Sequence, residues 1–410
     1  MTNGLPHRFR TLLTQRRVGA VAWWSIVSRL PVYLMSLAMV LVVREQGGSY
    51  AQAGLVAALY TAGMAVGGPL IARRLDRSGR RTVLATTGVL HPSMVAVLVW
   101  ATRPGGWAQP VAAALAGVAL PPANACMRSL WARLPLKEQD RDTAYLWEAL
   151  LTEVLVIGAP LALAGLMLSG SAGLALTTVA VVGGAGALGL AFVHLPAGTE
   201  PEQADAGADG PRRLLGPLRD SAMLALTGIM ATCAVPIGLM TLAVPAFVAA
   251  HGSPGSTGAV YACWGVGSAL GALWLGRSQS QVAPHVRFPR LVLAYALGTG
   301  LAPAATSEPV LALALAVGGA PIALVSASEL TLVSTVADSR SLAEAFTWAS
   351  LATVLGDAMG QQAGGLLMDR IGPRGVFATA FVLALAGAGL AFACRGLLSR
   401  GATAPAECPA

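Results

Sequence analysis

Long apolar segments separated by short polar breaks run through nearly the whole chain. A bilayer hydrocarbon core about 30 Å thick is crossed by a helix of about 20 mostly apolar residues. Cutting the 410-residue chain at charges, Gly/Pro clusters and polar breaks predicts an all-α membrane protein with twelve transmembrane helices. The predicted spans are 20–43, 51–72, 82–101, 108–130, 144–168, 172–194, 221–249, 256–276, 288–305, 309–335, 342–368 and 375–395.

One long polar insert interrupts this pattern. Residues 196–220 are rich in Pro, Gly, Ala and acidic residues and then become basic. Such a composition is typical of a flexible linker. We therefore expect an N-terminal half over 1–195, a cytoplasmic linker over 196–220, a C-terminal half over 221–396 and a flexible tail over 397–410. Each half would contain six helices.

The composition supports a membrane location. The chain is 55% apolar and 11% charged, whereas soluble domains carry about 25% charged residues. Placing the N-terminus inside puts most of the 27 Lys and Arg residues on the cytoplasmic side, as the positive-inside rule requires. We expect both termini in the cytoplasm and the protein in the inner (plasma) membrane. The net charge of +8 lies in the loops rather than in a stripe, so no nucleic-acid partner is expected.

The sequence lacks patterns that would indicate an enzyme. Lys137 is the only lysine and no phosphate-binding Walker loop is present, which excludes ATP-driven transport by this chain alone. The five cysteines and five histidines are scattered and show no metal-ligand spacing. We predict no enzymatic activity, no cofactor and no metal site. The dominance of Arg over Lys, with many Ala and Gly residues, suggests a GC-rich bacterial genome.

The loop after the second predicted span carries the most specific motif, Asp-Arg-Ser-Gly-Arg-Arg at 76–81. It resembles the signature between helices two and three of the major facilitator superfamily, and the sequence is similar to uncharacterised bacterial efflux-type members. Ala72 stands where that signature has Gly, and Arg74 stands where it has Leu. The matching positions are Asp76, Arg77, Gly79, Arg80 and Arg81.

This resemblance implies a cytoplasmic gate. Asp76 would lock the two halves together by meeting the start of helix eleven, where Ser341 and Glu344 form a capping-box pattern. Gly79 would permit a tight turn, and the arginines would hold the loop at the anionic inner leaflet. The alternative is an ordinary hairpin that obeys the positive-inside rule.

Two further patterns extend the resemblance. A second copy of the loop motif lies between spans eleven and twelve, which agrees with halves built from three-helix repeats; it comprises Gly365, Asp369, Arg370, Gly372 and Arg374. Helix five carries an imperfect version of the antiporter motif, with Ala159 inside the usual Gly-Pro pair; its residues are Gly158, Pro160 and Gly165. Plain helix packing explains small residues equally well.

Ionisable residues inside predicted spans are candidates for function, because they are costly in a membrane. Arg29 in span one and Glu153 in span five lie at matched depth, either as a functional pair or as a structural salt bridge. Arg128 and Glu329 occupy nearly equivalent places in spans four and ten. They would bridge the two halves, or Glu329 would carry a proton, or both would be separate interfacial charges.

Asp357 is the most isolated acid, midway along span eleven and without a basic residue within two turns. It suits a carboxyl that loads and releases a proton, although a hydrogen bond to a neighbouring helix would explain it as well. Polar groups at the midplane form the substrate cavity in such folds. The cavity candidates are Tyr33, Asn124, Tyr261, Trp264, Ser326, Trp348 and Gln361.

Together these features predict a monomeric secondary transporter in the lipid bilayer that works by alternating access. We expect proton-coupled efflux of a small amphipathic organic compound, with Asp357, Glu153 and Glu329 as proton-coupling candidates. A nutrient or metabolite importer of the same fold and a non-transporting membrane sensor remain alternatives.

Overall fold

The structure is a computed structural model that describes residues 16–133, 138–193, 217–252, 254–276, 282–337 and 342–400. These residues form helices and connections, with no β-strand among them. The α-helices are α1 (Arg16–Glu45), α2 (Tyr50–Ala96), α3 (Ala108–Val118), α4 (Ala123–Arg133), α5 (Glu138–Ser169), α6 (Ala172–Phe192), α7 (Ser221–His251), α8 (Thr257–Gly276), α9 (Pro284–Thr299), α10 (Glu308–Gly319), α11 (Ile322–Val336), α12 (Leu342–Ala393) and α13 (Arg395–Arg400).

Two of these helices are hairpins of two spans each. Gly79 in α2 and Gly372 in α12 have φ values of 76° and 65°, in the left-handed region that favours glycine. The chain therefore turns at each glycine, so α2 holds spans two and three and α12 holds spans eleven and twelve. In each of these helices, the part before the turn glycine is called the first arm and the part after it the second arm. The tight turn expected at Gly79 is present.

Two predicted spans are interrupted rather than continuous. Span four is divided into α3 and α4 around Pro121 and Pro122, and span ten is divided into α10 and α11 at Pro321. Proline lacks the N–H of the helical hydrogen-bond ladder and its ring crowds the preceding turn. With each interrupted span counted once and each hairpin twice, the described helices provide the twelve spans.

The chain divides into two compact units, Met1–Ala208 and Asp209–Ala410. The first contains α1–α6 and the second contains α7–α13. Residues 196–216 of the predicted linker and residues 401–410 of the predicted tail lie outside the described residues, while the tail residues 397–400 are helical.

Helices within each unit pack in equivalent pairs. In the first unit α6 packs against α1 and the second arm of α2, and α3 packs against the first arm. In the second unit the second arm of α12 packs against α7 and α9, and α8 packs against α10. This equivalence agrees with the shared architecture that the repeated loop motif predicts.

Seven of the described helical segments are long and apolar enough to cross a membrane by length and composition. Large apolar side chains also lie on the surface, including Leu168 at 83% exposed and Trp274 at 76%. Soluble monomers rarely expose extensive apolar patches. A lipid-facing exterior accounts for these side chains.

Candidate functional site

Asp357 lies on the first arm of α12, where that arm contacts α7 with almost no space between the backbones. A Cβ added at Gly238 of α7 would come within 2.1 Å of the Asp357 carbonyl oxygen. Gly356 and Gly360 approach the α7 backbone in the same way, at Ala231 and Val235. Small residues allow such close contacts between membrane helices. The acid is therefore held against a tightly packed helix pair.

The two carboxylate oxygens of Asp357 have different surroundings. Its Oδ2 accepts a hydrogen bond of 3.0 Å from Nε2 of Gln361, one helical turn later. Its Oδ1 is buried and has no hydrogen-bond partner among the described residues. Tyr261 of α8 lies within electrostatic reach of this carboxyl. A buried carboxyl with one unpartnered oxygen is more easily accommodated as a neutral acid than as an anion.

Glu329 lies on α11, and its side chain is only 9% exposed. It lines a partly open cavity of about 50 Å³ between helices of the second unit. Cys233, Tyr295, Ser326 and Thr353 provide the other polar groups of the wall, and the rest of the lining is apolar. The residues that line the cavity include no Lys, Arg or His that could pair with the carboxylate of Glu329.

Tyr295 of α9 lies near both acids. It is within electrostatic reach of both Glu329 and Asp357, and its hydroxyl makes a long hydrogen bond of 3.4 Å to the Cys233 carbonyl oxygen. Neither Tyr295 nor Cys233 is conspicuous in the sequence, because a lone Tyr or Cys in an apolar span is typical of packing. In the sequence, each could be recognised only as a residue with a polar group inside an apolar span.

The predicted cavity residues fall into two groups. Tyr261, Ser326 and Gln361 lie near the acids of the second unit; the rings of Tyr261 and Trp264 pack 5.9 Å apart. Trp348 lies nine residues before Asp357 on α12 and is half-buried. Tyr33 and Asn124 belong to the first unit and are half-buried.

The buried charges of the first unit are described only in part. Arg29 is 1% exposed, inside α1, and α1 contacts α5, which carries Glu153. The side chains of Glu153 and Arg128 lie outside the described part of the structure. Both the Arg29–Glu153 and the Arg128–Glu329 pairs therefore stay predictions.

The first loop motif has an unexpected contact. Arg80 is buried at 8% exposed, and its guanidinium donates hydrogen bonds to the carbonyl oxygens of Leu190 and Val193, the latter at 3.2 Å. These carbonyls are the unpaired acceptors at the C-terminal end of α6, where a cation is favoured. Arg81 lies 4.7 Å from the ring centre of Phe192. Both arginines thus bind the end of α6.

The gate that the resemblance implies depends on residues that the structure does not describe. The side chains of Asp76 and Arg77 and the whole of Ser341 lie outside the described residues. Glu344 lies in the first turn of α12. The contact of Asp76 with helix eleven stays a prediction.

The second copy of the motif repeats the arginine contact. Arg374 donates a 3.1 Å hydrogen bond to the carbonyl oxygen of Ala305, just after α9. Asp369 and Arg370 are exposed, and Gly365 is buried within α12. In both hairpins, therefore, an arginine after the turn glycine binds a backbone carbonyl oxygen of a neighbouring segment. In the first unit this is the end of α6, and in the second it is Ala305, which follows the short 3-10 turn Ala302–Ala304 between α9 and α10.

The antiporter-like motif lies inside an unbroken helix. Pro160 is buried within α5, which continues through it to Ser169. A Cβ added at Gly158 or Gly165 would meet no described atom within 4 Å. The described residues therefore show no close helix contact at these two glycines.

The profile of the Major Facilitator Superfamily matches residues 21–360. By sequence, no match is found among curated proteins. By structure, the chain is similar to the nucleoside transporter NupG in a mutant form, with a TM-score of 0.76 and 13% identity over 92% of this chain and 98% of that one.

Two further solved structures show the same architecture. A POT family transporter in complex with 5-aminolevulinic acid gives a TM-score of 0.70 at 11% identity, covering 94% of this chain and 97% of that one. The peptide transporter POT in complex with sulfate gives 0.69 at 13% identity, covering 94% and 95%.

These similarities define a multi-pass membrane transporter fold. The chain belongs to the Major Facilitator Superfamily. The predicted family and the all-α, twelve-span fold class are confirmed, and a transporter rather than an enzyme is indicated. The placement of both termini in the cytoplasm stays a prediction.

Proposed function

We propose that the protein is a proton-coupled secondary transporter that exports a small amphipathic organic compound from the cytoplasm by alternating access. The observation that carries this proposal is the carboxyl of Asp357. One of its oxygens is hydrogen-bonded to Gln361, and the other is buried without a partner among the described residues.

A buried carboxyl of this kind couples proton movement to conformation. As an anion it needs water or hydrogen-bond donors at both oxygens, whereas as a neutral acid it tolerates burial. A conformation that exposes Asp357 therefore favours the anion, and one that buries it favours the acid. A ligand or proton shifts an equilibrium between two states only by binding them with different affinity. Asp357 meets that requirement.

The packing around Asp357 supports the same role. Its arm of α12 and the facing part of α7 meet backbone to backbone at Gly238, Gly356 and Gly360. Close-packed interfaces change between discrete arrangements rather than deforming continuously. A change of charge at Asp357 thus acts on the position of a helix pair rather than on one side chain.

Glu329 and Glu153 are the other coupling candidates. Glu329 is buried beside a cavity in the second unit, and Glu153 lies in α5, a helix that contacts the α1 of Arg29. The structure describes no one-sided hydrogen bonding of this kind for Glu329, and the side chain of Glu153 lies outside the described residues.

Import is the second candidate function. The similar solved structures are named as a nucleoside transporter and a peptide transporter, one of the relatives holding 5-aminolevulinic acid. A nutrient or metabolite importer of the same fold fits those similarities as well as an exporter does. The direction proposed here rests on the antiporter-like Gly158, Pro160 and Gly165, with Ala159 interrupting the pattern.

Proton movement in proteoliposomes tests the proposal. The purified protein is reconstituted with an internal pH-sensitive dye and challenged with a panel of amphipathic compounds and metabolites. In the wild type we expect compound-dependent proton flux. In Asp357→Asn we expect the flux to fall by about 100-fold or more, because a carboxamide does not ionise in this pH range and so cannot load and release a proton.

Two variants provide the controls. Asp369→Asn makes the same chemical change at an exposed position of the same helix, and its flux should equal that of the wild type. Glu153→Gln tests whether the acid in the first unit carries the proton instead. Loss of flux in Glu153→Gln with normal flux in Asp357→Asn would move the coupling site to Glu153. Absence of compound-dependent flux in the wild type, with compound binding intact, would contradict proton coupling and favour a uniporter or a sensor.

A further inference from the structure

The cavity beside Glu329 is too small for a complete amphipathic compound. Its volume is about 50 Å³, and each buried water requires about 10–15 Å³ on this scale. The space therefore accommodates a head group of a few heavy atoms. The remainder of any ligand must lie outside the cavity.

The chemistry of the wall selects one kind of head group. Glu329 is the only Asp, Glu, Lys, Arg or His residue in the lining. The other lining residues include Tyr295, Met230 and Cys233. The lining contains no Lys, Arg or His residue to balance the charge of the Glu329 carboxylate. Removing a carboxylate from water without a partner is costly, so a ligand that supplies a positive charge stabilises this arrangement.

The same wall disfavours other ligands. An anion would meet the carboxylate of Glu329 with no compensating base in the lining. A polyhydroxylated ligand would need several hydrogen-bonding groups. The hydroxyl of Thr353 already donates to the Ala349 carbonyl oxygen at 3.2 Å, and little else in the wall is polar. Aromatic and polarisable groups such as Tyr295 and Met230 suit organic cations.

The geometry points to a subsite for a primary ammonium head group between α7, α9 and α11, with Glu329 as the counter-charge; as a substrate site it rests on the proposed transport function. The substrates are accordingly small organic amines with an apolar body. Asp357 does not line this cavity, so the two acids have different roles. Asp357 carries the proton and Glu329 recognises the cation.

Cys233 offers a direct test, because it is one of the residues that line the cavity. A variant that keeps Cys233 and carries Ala at the other four cysteines is treated with three methanethiosulfonates of similar size. They carry an aminoethyl, an ethyl or a sulfonatoethyl group. The Cys233 thiolate attacks the sulfenyl sulfur, a mixed disulfide forms, methanesulfinate leaves and the thiol proton passes to water. Mass spectrometry measures each rate, and each is divided by the rate with a free thiol.

We expect the normalised aminoethyl rate to exceed the ethyl rate by at least about tenfold, because the carboxylate attracts the cation across a medium of low dielectric constant. The sulfonatoethyl reagent should be the slowest. Glu329→Gln should remove the aminoethyl preference. Glu308→Gln, which changes an acid in the first turn of α10 outside the cavity, should retain it.

A second measurement needs no change at Glu329. In the same single-cysteine protein, 2-phenylethylammonium should slow labelling by the ethyl reagent, whereas the neutral 2-phenylethanol should not. Equal labelling by the three reagents, equal protection by amine and alcohol, or no labelling of Cys233 by any reagent would each overturn the subsite. An aminoethyl preference in a protein without proton flux would retain the subsite and contradict only the proton coupling.

Discussion

The helix pairs α1–α5 and α7–α12 occupy equivalent places in the two units but are built differently. In the second unit the contact is backbone to backbone, with Gly238, Gly356 and Gly360 leaving no room for a Cβ. In the first unit α1 and α5 also touch, yet Gly158 and Gly165 face open space among the described residues.

The difference extends to charge. The α7–α12 contact holds an acid, Asp357, beside glycines, whereas the α1–α5 pair carries the long side chains of Arg29 and Glu153. Long side chains keep helices apart, and glycines bring them together. The repeated architecture therefore specifies which helices meet. The individual residues decide whether two helices meet backbone to backbone, as α7 and α12 do at Gly238, Gly356 and Gly360.

The largest stability effect should distinguish the two pairs directly. Gly238→Leu places a side chain where even a Cβ would lie 2.1 Å from a backbone oxygen. We expect it to lower the free energy of unfolding by about 3 kcal/mol or more, because a close-packed backbone cannot move aside. The midpoint of thermal unfolding in detergent measures the effect.

The matched variant is Gly158→Leu in the first unit, which should change the unfolding midpoint little because its site is open. Gly228→Leu gives a second control on α7 itself, again at an open position. Equal destabilisation by Gly238→Leu and Gly158→Leu would show that the two pairs are packed alike and would remove the contrast.

The hairpin turns allow a second comparison between the units. Arg80→Ala should destabilise the first unit by about 2 kcal/mol, because it leaves buried carbonyl oxygens at the end of α6 without a donor. Arg374→Ala should cost about 0.5 kcal/mol, because Arg374 is exposed and water can replace it at the Ala305 carbonyl. Chemical denaturation of both variants tests this order, and a larger effect of Arg374→Ala would reverse it.

A third prediction concerns the hydrogen bond to Asp357. Gln361→Leu removes the donor to Oδ2, and a hydrogen bond to a charged group contributes about 1.5–3 kcal/mol. We expect proton-coupled flux to fall by about tenfold, because the anionic form of Asp357 loses stabilisation. Gln362→Leu, one residue further on the same helix, serves as the control in the dye assay. Similar losses in both variants would indicate a packing effect rather than a role for the hydrogen bond.

The smallest expected effect concerns the aromatic contact at the first hairpin. Phe192→Leu keeps an apolar side chain but removes the ring below Arg81. Exposed cation–π contacts contribute about 0.5–1 kcal/mol, so the unfolding midpoint should shift slightly in the wild type. In an Arg81→Gln background the same change should have no further effect. An undiminished shift there would show that the ring acts through packing alone.

Hydropathy, together with the charges, Gly/Pro clusters and polar breaks between apolar runs, predicted the spans well. The reason is that a membrane imposes a minimum apolar length on every helix that crosses it. The interruptions at Pro121 and Pro321 were missed, since a proline inside an apolar run predicts either a kink or a break. Asp357 was recognised as a candidate because a lone acid in a span is conspicuous. Tyr295 and Cys233 were not, because their importance depends on which helices lie next to α9 and α7.

The sequence alone determined the membrane class, the superfamily and the positions of the hairpin turns, since apolar length, the Asp76–Arg81 motif and the turn glycines are local properties. Only the tertiary structure decided that Arg80 binds the end of α6, that Glu329 lines a small cavity and that Asp357 has one unpartnered oxygen. Each of these facts depends on side chains far apart in the chain. The packing of the helices brings these side chains together, and no local sequence pattern predicts that packing.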